Sequence, residues 1–133
     1  MTRRLEREYN EIRSMTTKTV KSLDKARKIV EVASDKQAED VRLLDISKTS
    51  TIADYFVICN GNSARQINAL CDDIDRFLSD NASPLHHREG TADSGWVLLD
   101  CGDVVVHIFS AEQREYYQLD ALWSHAPTVL RVL

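Results

Sequence analysis

The chain has 133 residues, 43% of them hydrophobic and 29% charged, enough apolar material for one self-supporting domain and too much for a disordered segment or a small fold needing staples. Seventeen Lys and Arg stand against 21 Asp and Glu, a net charge of -4, which argues against a broad nucleic-acid-binding surface. Residues 1–30 hold nine basic and four acidic side chains, leaving eight and 17 for residues 31–133, so +5 gives way to -9 and the folded body suits a basic partner.

No apolar run approaches the roughly 20 residues of a membrane span, and the N-terminus lacks the apolar core of a secretion signal. Glu6, Glu8 and Glu11 also argue against a transit peptide. Cys59, Cys71 and Cys101 are odd in number and widely spaced, the pattern of reduced packing thiols in a cytoplasmic protein.

Residues 1–17 are dense in Arg and Glu and read as a flexible N-terminal extension that contributes little to stability. Met15 is a candidate initiator. Residues 18–133 read as the domain. Val20, Leu23, Ala26, Val30 and Ala33 recur at three and four, predicting a helix over 18–34. Val41 to Ile46 and Tyr55 to Cys59 are rich in branched and aromatic residues and read as strands. Ser63 and Gln66 form a capping pair ahead of Ile67, Leu70, Cys71, Ile74, Phe77 and Leu78, a second helix that ends at the breakers Ser79 to Pro84. A third strand near Leu85 to Arg88 then runs parallel to the second, since the crossover is long enough to return.

Trp96 to Asp100 and Asp103 to Phe109 flank Cys101-Gly102 and predict an antiparallel hairpin with a two-residue turn. Ser110 and Gln113 repeat the capping pattern, and Tyr116, Leu119, Leu122 and Trp123 fall on one stripe, predicting a final helix over 111–124. The fold class is α+β: a single domain with a mixed five-stranded sheet and about three helices.

With Cys101-Gly102 as the turn, Asp100 faces Asp103. One face of the hairpin is aliphatic, made of Val97, Leu99, Val104, Val106 and Ile108, and suits a helix layer. The other carries Trp96, Leu98, Val105, His107 and Phe109, with Asp100 and Asp103 at the turn end. That mixture resembles an interface. Opposed carboxylates repel, and a bound Lys, Arg or metal ion would relieve them. The alternative is a second layer covering this face, with the aspartates flanking a solvated turn.

Gly61-Asn62-Ser63 followed by Asp73 and Asp75 imitates the signature of metal-dependent nucleotidyltransferases. Carboxylates two apart on a helix diverge, however, whereas that chemistry needs both on one side of a strand. Asp100, Asp103 and His107 are a poor metal set, because the ring lies four residues from the nearer carboxylate at roughly 3.3 Å per residue. His86-His87 lacks a third ligand at metal spacing. Neither a nucleophile elbow nor a phosphate-binding Gly loop is present. Arg65 reads as a solvated helix residue. No cofactor is expected, and a binding module is favoured over an enzyme.

Asp45 to Ser47, Thr51 to Cys59, Gly61 to Gln66, Glu89-Gly90, Gly95 to Asp100, Gly102 to Phe109, Arg114 to Leu119 and Leu122-Trp123 together resemble the Iojap family, the ribosomal silencing factors RsfS, over residues 20–127. Cys101 departs from the aromatic residue often found there, and Ser124-His125 from the more usual Gly-Asp. The resemblance implies a nucleotidyltransferase-like fold without its catalytic carboxylates. It also implies a non-enzymatic factor that binds the large ribosomal subunit through ribosomal protein L-fourteen. There it blocks joining of the small subunit and lowers translation when nutrients are scarce. Free members tend to form homodimers, with neither a membrane nor a specific nucleic-acid sequence as partner. The competing readings are a metal-dependent nucleotidyltransferase-like enzyme and a purely structural homodimer. Trp96, Asp100, Asp103 and His107, with Tyr116 and Tyr117 beside them, are the expected partner-binding residues. Tyr116 also belongs to the apolar stripe, which suits a core position equally. Asp54, Arg65 and Glu89 are assigned to organising the strand ends.

Overall fold

A computed structural model describes residues 21–133. The expected extension 1–17, Met15 and the start of the first helix lie outside the described residues. Helix α1 is described over 21–35. It is followed by β1 (Glu39–Asp45), β2 (Tyr55–Gly61), α2 (Ala64–Asp80), β3 (His87–Glu89), a 3-10 turn (Ala92–Ser94), β4 (Trp96–Asp100), β5 (Val104–Ser110), α3 (Ala111–Tyr117), α4 (Leu119–Leu122) and β6 (Thr128–Val132). One mixed sheet takes the order β3-β4-β5-β2-β1-β6. Among the described residues only β2 and β5 pair in parallel; the other neighbours are antiparallel.

The α+β class holds, with six strands rather than five. The added strand, β6, pairs with β1 at the sheet edge and is exposed along its whole length, so it lacks the buried face that makes a strand legible. The third strand runs in the same direction as the second, as expected, but β4 and β5 lie between them. It is the hairpin's second strand, β5, that returns to β2.

Alternation along the strands divides the apolar residues between two faces. Val41, Leu43, Val57, Cys59, Val97, Leu99, Val104, Val106 and Ile108 pack with Ala26, Ile29 and Ala33 of α1 and Ile67, Leu70, Cys71, Ile74 and Leu78 of α2. The aliphatic face of the hairpin therefore lies under the helices. The opposite face gathers Leu44, Ile46, Ile58, Val105, Phe109, Leu119 and Ala126, with Phe56, Trp96, Leu98 and Trp123 partly buried around them. All three cysteines are free and buried. Burial pushes the Cys59 and Cys101 thiols up to about 12 and Cys71 to about 11, so they pack and do not react.

Ser63 caps α2 by accepting the Gln66 N–H at 3.0 Å. Gln66 reaches back through its side-chain oxygen Oε1, which accepts from the N–H of Asn62 at 2.6 Å, one residue earlier than in a regular capping box. Its amide donates to the Gln37 carbonyl at 3.0 Å and so ties the end of α1 to the start of α2.

The single helix expected over 111–124 is broken. Gln118 adopts φ 48, a left-handed residue between α3 and α4. In one continuous helix Asp120 would lie six residues, roughly 9 Å, beyond Arg114 and on another face. The break instead brings the Asp120 carboxylate to 3.0 Å from the Arg114 guanidinium and buries Leu119, while Tyr116 and Leu122 stay 76% and 69% exposed. The expected stripe is not a core stripe, and Tyr116 is a surface residue.

Candidate functional site

The hairpin register is shifted by two from the expected one. Trp96 pairs with Phe109, Leu98 with His107 and Asp100 with Val105. The Cys101 N–H bonds the Val104 carbonyl at 2.9 Å, so the two-residue turn is Gly102-Asp103. Gly102 takes φ 87 at its first position, as a primed hairpin turn requires. A shift of two preserves side-chain parity, so the strand residues keep their faces, but Asp103 moves into the turn, off the mixed face, and no longer opposes Asp100.

Each aspartate has its own task. The Asp100 carboxylate accepts the Gly102 N–H at 2.8 Å and closes the turn, while remaining half-buried at the end of the mixed face. Asp103 turns toward α1. It accepts the Ser22 hydroxyl and pairs with Lys25 at 3.0 Å. Despite partial desolvation, these bonds hold its carboxyl below the usual range. Asp103 is thus a link between the hairpin and α1, on the helix side, and is separated from the aromatic group.

The aromatic residues do converge. Trp96 stacks on Phe109 at 5.0 Å between centroids and meets Tyr117 at 4.6 Å. Tyr117 touches Tyr116 edge-on at 5.1 Å. On the other side His107 lies 6.0 Å from Trp96 and 4.7 Å from Phe56, which in turn meets Trp123 at 5.0 Å. Tyr116, Tyr117, Trp96, His107, Phe56 and Trp123 form a continuous band across the sheet face opposite α1 and α2. Phe56 and Trp123 are not among the expected partner-binding residues. Strand parity holds the signal for Phe56, since residues 56 and 58 share a face and Ile58 pairs with His107.

Exposure falls along the band from Tyr116 to His107 and rises again to intermediate at Phe56 and Trp123. Tyr116 and Tyr117 are 76% and 45% exposed, whereas His107 is only 4% exposed. His107 is therefore a buried member of the expected set. It lies on a face that α3, α4 and the segment around Ala126 cover in part. Beside Trp96, a depression of about 210 Å³ is lined by Glu89, Gly90, Trp96 and Leu98.

Burial pushes the His107 imidazole down to about 4, against a smaller upward pull from Asp120. Above pH 6.5 the ring is neutral both folded and unfolded. Between 6.5 and about 4 the unfolded chain binds a proton that the folded chain refuses, so stability falls with pH across that window, by about 3 kcal/mol at full extent. Asp103 and Asp120 are lowered from 3.8, and their contribution is lost only further down, as pH falls through their folded values. Denaturant melts at several pH values are expected to show the upper limb in the wild type and its disappearance in His107→Phe. An unchanged limb in the variant would assign it to another group.

A second feature went unseen in the sequence. Arg114 is 8% exposed and donates to the Asp40 carbonyl at 2.6 Å, to Asn60 at 3.1 Å and to both oxygens of Asp120. Arg42 also pairs with Asp120, at 3.1 Å, and Arg131 with Asp40, at 3.0 Å. Asp40 has φ 45 within an irregularity of β1 against β2, which turns its carbonyl and carboxylate toward the arginines. This network anchors α3 and α4, and with them Tyr116 and Tyr117.

Asp73 lies within 3.8 Å of Lys36 and 3.4 Å of Arg76, while Asp75 is exposed; the two carboxylates do not converge. Among the described residues no group of three or more His, Cys, Asp or Glu is arranged to hold a metal ion, and no helix is long and apolar enough to cross a membrane. His87 is exposed at the start of β3, 3.0 Å from Glu89.

A family model described as "Ribosomal silencing factor during starvation" matches residues 19–132. A Bacillus subtilis protein named ribosomal silencing factor RsfS is 45% identical over 93 residues, spanning 70% of this chain and 79% of its own. One of the same name from Halalkalibacterium halodurans is 42% identical over 100 residues, spanning 75% and 86%. A crystal structure of a Chromobacterium violaceum protein is similar with a TM-score of 0.74 and 31% identity, covering 77% of this chain and 85% of that one.

Proposed function

The chain belongs to the RsfS family of ribosomal silencing factors, and from that premise we propose that it docks on the large ribosomal subunit through ribosomal protein L-fourteen. Bound there, it stands where the small subunit would join, and it represses translation when nutrients are limiting. It acts by binding, not by catalysis, in the cytoplasm. The observation that carries this reading is the aromatic band, whose outer members Tyr116, Tyr117 and Trp96 leave apolar ring surface on an otherwise acidic body. Residues 31–133 carry a balance of -9, which steers the chain toward a basic ribosomal protein. Desolvated aromatic rings then supply most of the affinity.

Trp96, Tyr117 and Tyr116 form the contact surface, with His107 beneath it and Asp100 at its turn end. The depression lined by Trp96, Leu98, Gly90 and Glu89 accommodates a Lys or Arg of the partner, its aliphatic stem against the indole and its charge against the carboxylate. Asp103 belongs to the scaffold. Free copies pair as homodimers, and the exposed Tyr116, Tyr117 and Leu122 offer the apolar surface that a second copy would cover.

Co-sedimentation with separately purified large and small subunits tests the assignment. The protein is expected to pellet with large subunits and stay in the supernatant with small ones. Pelleting with neither, or equally with both, would overturn it.

A further inference from the structure

The buried His107 is an unexpected residue for its place. Its neighbours on the same strand face are Val105 and Phe109, and across the sheet it lies between Ile58 of β2 and Leu98 of β4. An aliphatic or phenyl side chain would fill that space without burying polar atoms. The imidazole Nε2 is enclosed and has no hydrogen-bond partner among the described residues, an arrangement that costs stability. The other nitrogen has a partner. Nδ1 lies 3.2 Å from the indole Nε1 of Trp96.

An indole nitrogen only donates, so Nδ1 must carry its lone pair toward Trp96, and the ring proton must reside on Nε2. The tautomer and the orientation of the ring are thereby fixed together. Phe56 stands edge-on to the imidazole at 4.7 Å, and Phe109 lies nearly parallel to it at 6.3 Å, which hold the ring in place. Trp96 sits diagonally from His107 on the neighbouring strand, within reach of a long side chain. The hydrogen bond turns the pyrrole edge of the indole inward. The rest of the ring system is left beside Tyr117, at the border between buried and exposed.

Resting on the docking surface proposed above, we propose that His107 is a positioning residue for docking: its unprotonated Nδ1 fixes the rotamer in which Trp96 is presented to the partner. The imidazole is kept for this acceptor, and it touches no partner atom itself. A rigid, preoriented aromatic side chain pays less conformational entropy on binding than a free one. Losing the acceptor therefore weakens docking without removing any contact atom.

The test uses the full chain and three variants. His107→Phe keeps a planar ring and removes the acceptor, His107→Asn places an amide oxygen close to the position of Nδ1, and Trp96→Ala removes the residue acted upon. The two tryptophans give two indole N–H signals in a proton–nitrogen correlation spectrum, assigned with Trp123→Phe. The Trp96 signal is expected to exchange slowly with solvent in the wild type, quickly in His107→Phe and slowly again in His107→Asn. Affinity for purified large subunits is expected to fall about fivefold to tenfold in His107→Phe, the range for one lost hydrogen bond, and to recover in His107→Asn. In a Trp96→Ala background His107→Phe should add nothing further, which a merely structural histidine would not show.

An indole signal indifferent to His107→Phe overturns the positioning role. So does an equal loss of affinity from that substitution with and without Trp96. If the wild type binds no large subunits, it is the docking assignment that fails, and the indole spectra still decide whether His107 holds Trp96.

Discussion

Replacing Arg114 with alanine is expected to destabilise the domain by about 3 kcal/mol, lowering its melting temperature by roughly 10 °C in a chain of this size. The guanidinium is 9% exposed and bridges Asp120 at 3.0 Å and Asp40 at 3.5 Å, while its other donors satisfy the Asp40 carbonyl and Asn60. Its removal strands two aspartates that are only 24% and 31% exposed. Desolvation of those carboxylates, more than the loss of the attraction itself, sets the cost. Arg42 and Arg131 remain beside them, which keeps the figure at the lower end of the range for broken buried pairs. Arg114→Lys should fall between wild type and Arg114→Ala, since a single ammonium cannot reproduce the fork that holds both Asp120 oxygens. A melting temperature within a few degrees of wild type in Arg114→Ala would mean that α3 and α4 are held by their apolar contacts alone.

Trp96→Ala is expected to weaken binding to large subunits by about 2 kcal/mol or more, some 30-fold, the scale for truncating an aromatic anchor in an interface. Trp96 is half-buried and contacts Tyr117 and Phe109 through its ring, so the substitution removes both contact area and the support of its neighbour. Asp103→Asn is the matched control. It loses part of the pairing with Lys25 and Ser22 and with it some stability, yet it should bind as the wild type does, because its side chain faces α1. Undiminished binding in Trp96→Ala, or a loss in Asp103→Asn as large as that in Trp96→Ala, would move the interface away from this face.

Parity carried most of the sequence reading that proved right. The hairpin strands alternate so regularly that the aliphatic and mixed faces follow from the order of residues alone, and a register error of two leaves both intact. The position of the turn depends on which residue takes a positive φ, and Cys101-Gly102 and Gly102-Asp103 place the same glycine at different turn positions. Apolar alternation does not choose between them. The opposition of Asp100 and Asp103 rested on that choice and fell with it.

The break at Gln118 had no local signal, as neither glycine nor proline marks it. It is stabilised by pairing of Asp120 with Arg114, six residues back where helical periodicity leads to no contact, and with Arg42, which no local window contains. β6 was hidden for another reason: an edge strand exposed on both sides has no apolar alternation to detect. The candidate site was legible in its rings more than in its charges. Trp96, Tyr116 and Tyr117 lie together at the surface, His107 lies beneath them, and Asp103 serves the fold. Phe56 and Trp123 join the band only through strand pairing and chain reversal.

Light scattering on mixing purified ribosomal subunits reads out whether the protein keeps them apart. Large subunits preincubated with a saturating amount of the protein are expected to give a strongly reduced association signal when small subunits are added, with the reduction titrating against protein and weakened by Trp96→Ala. An association signal unchanged at saturation would mean that the protein does not stand between the subunits.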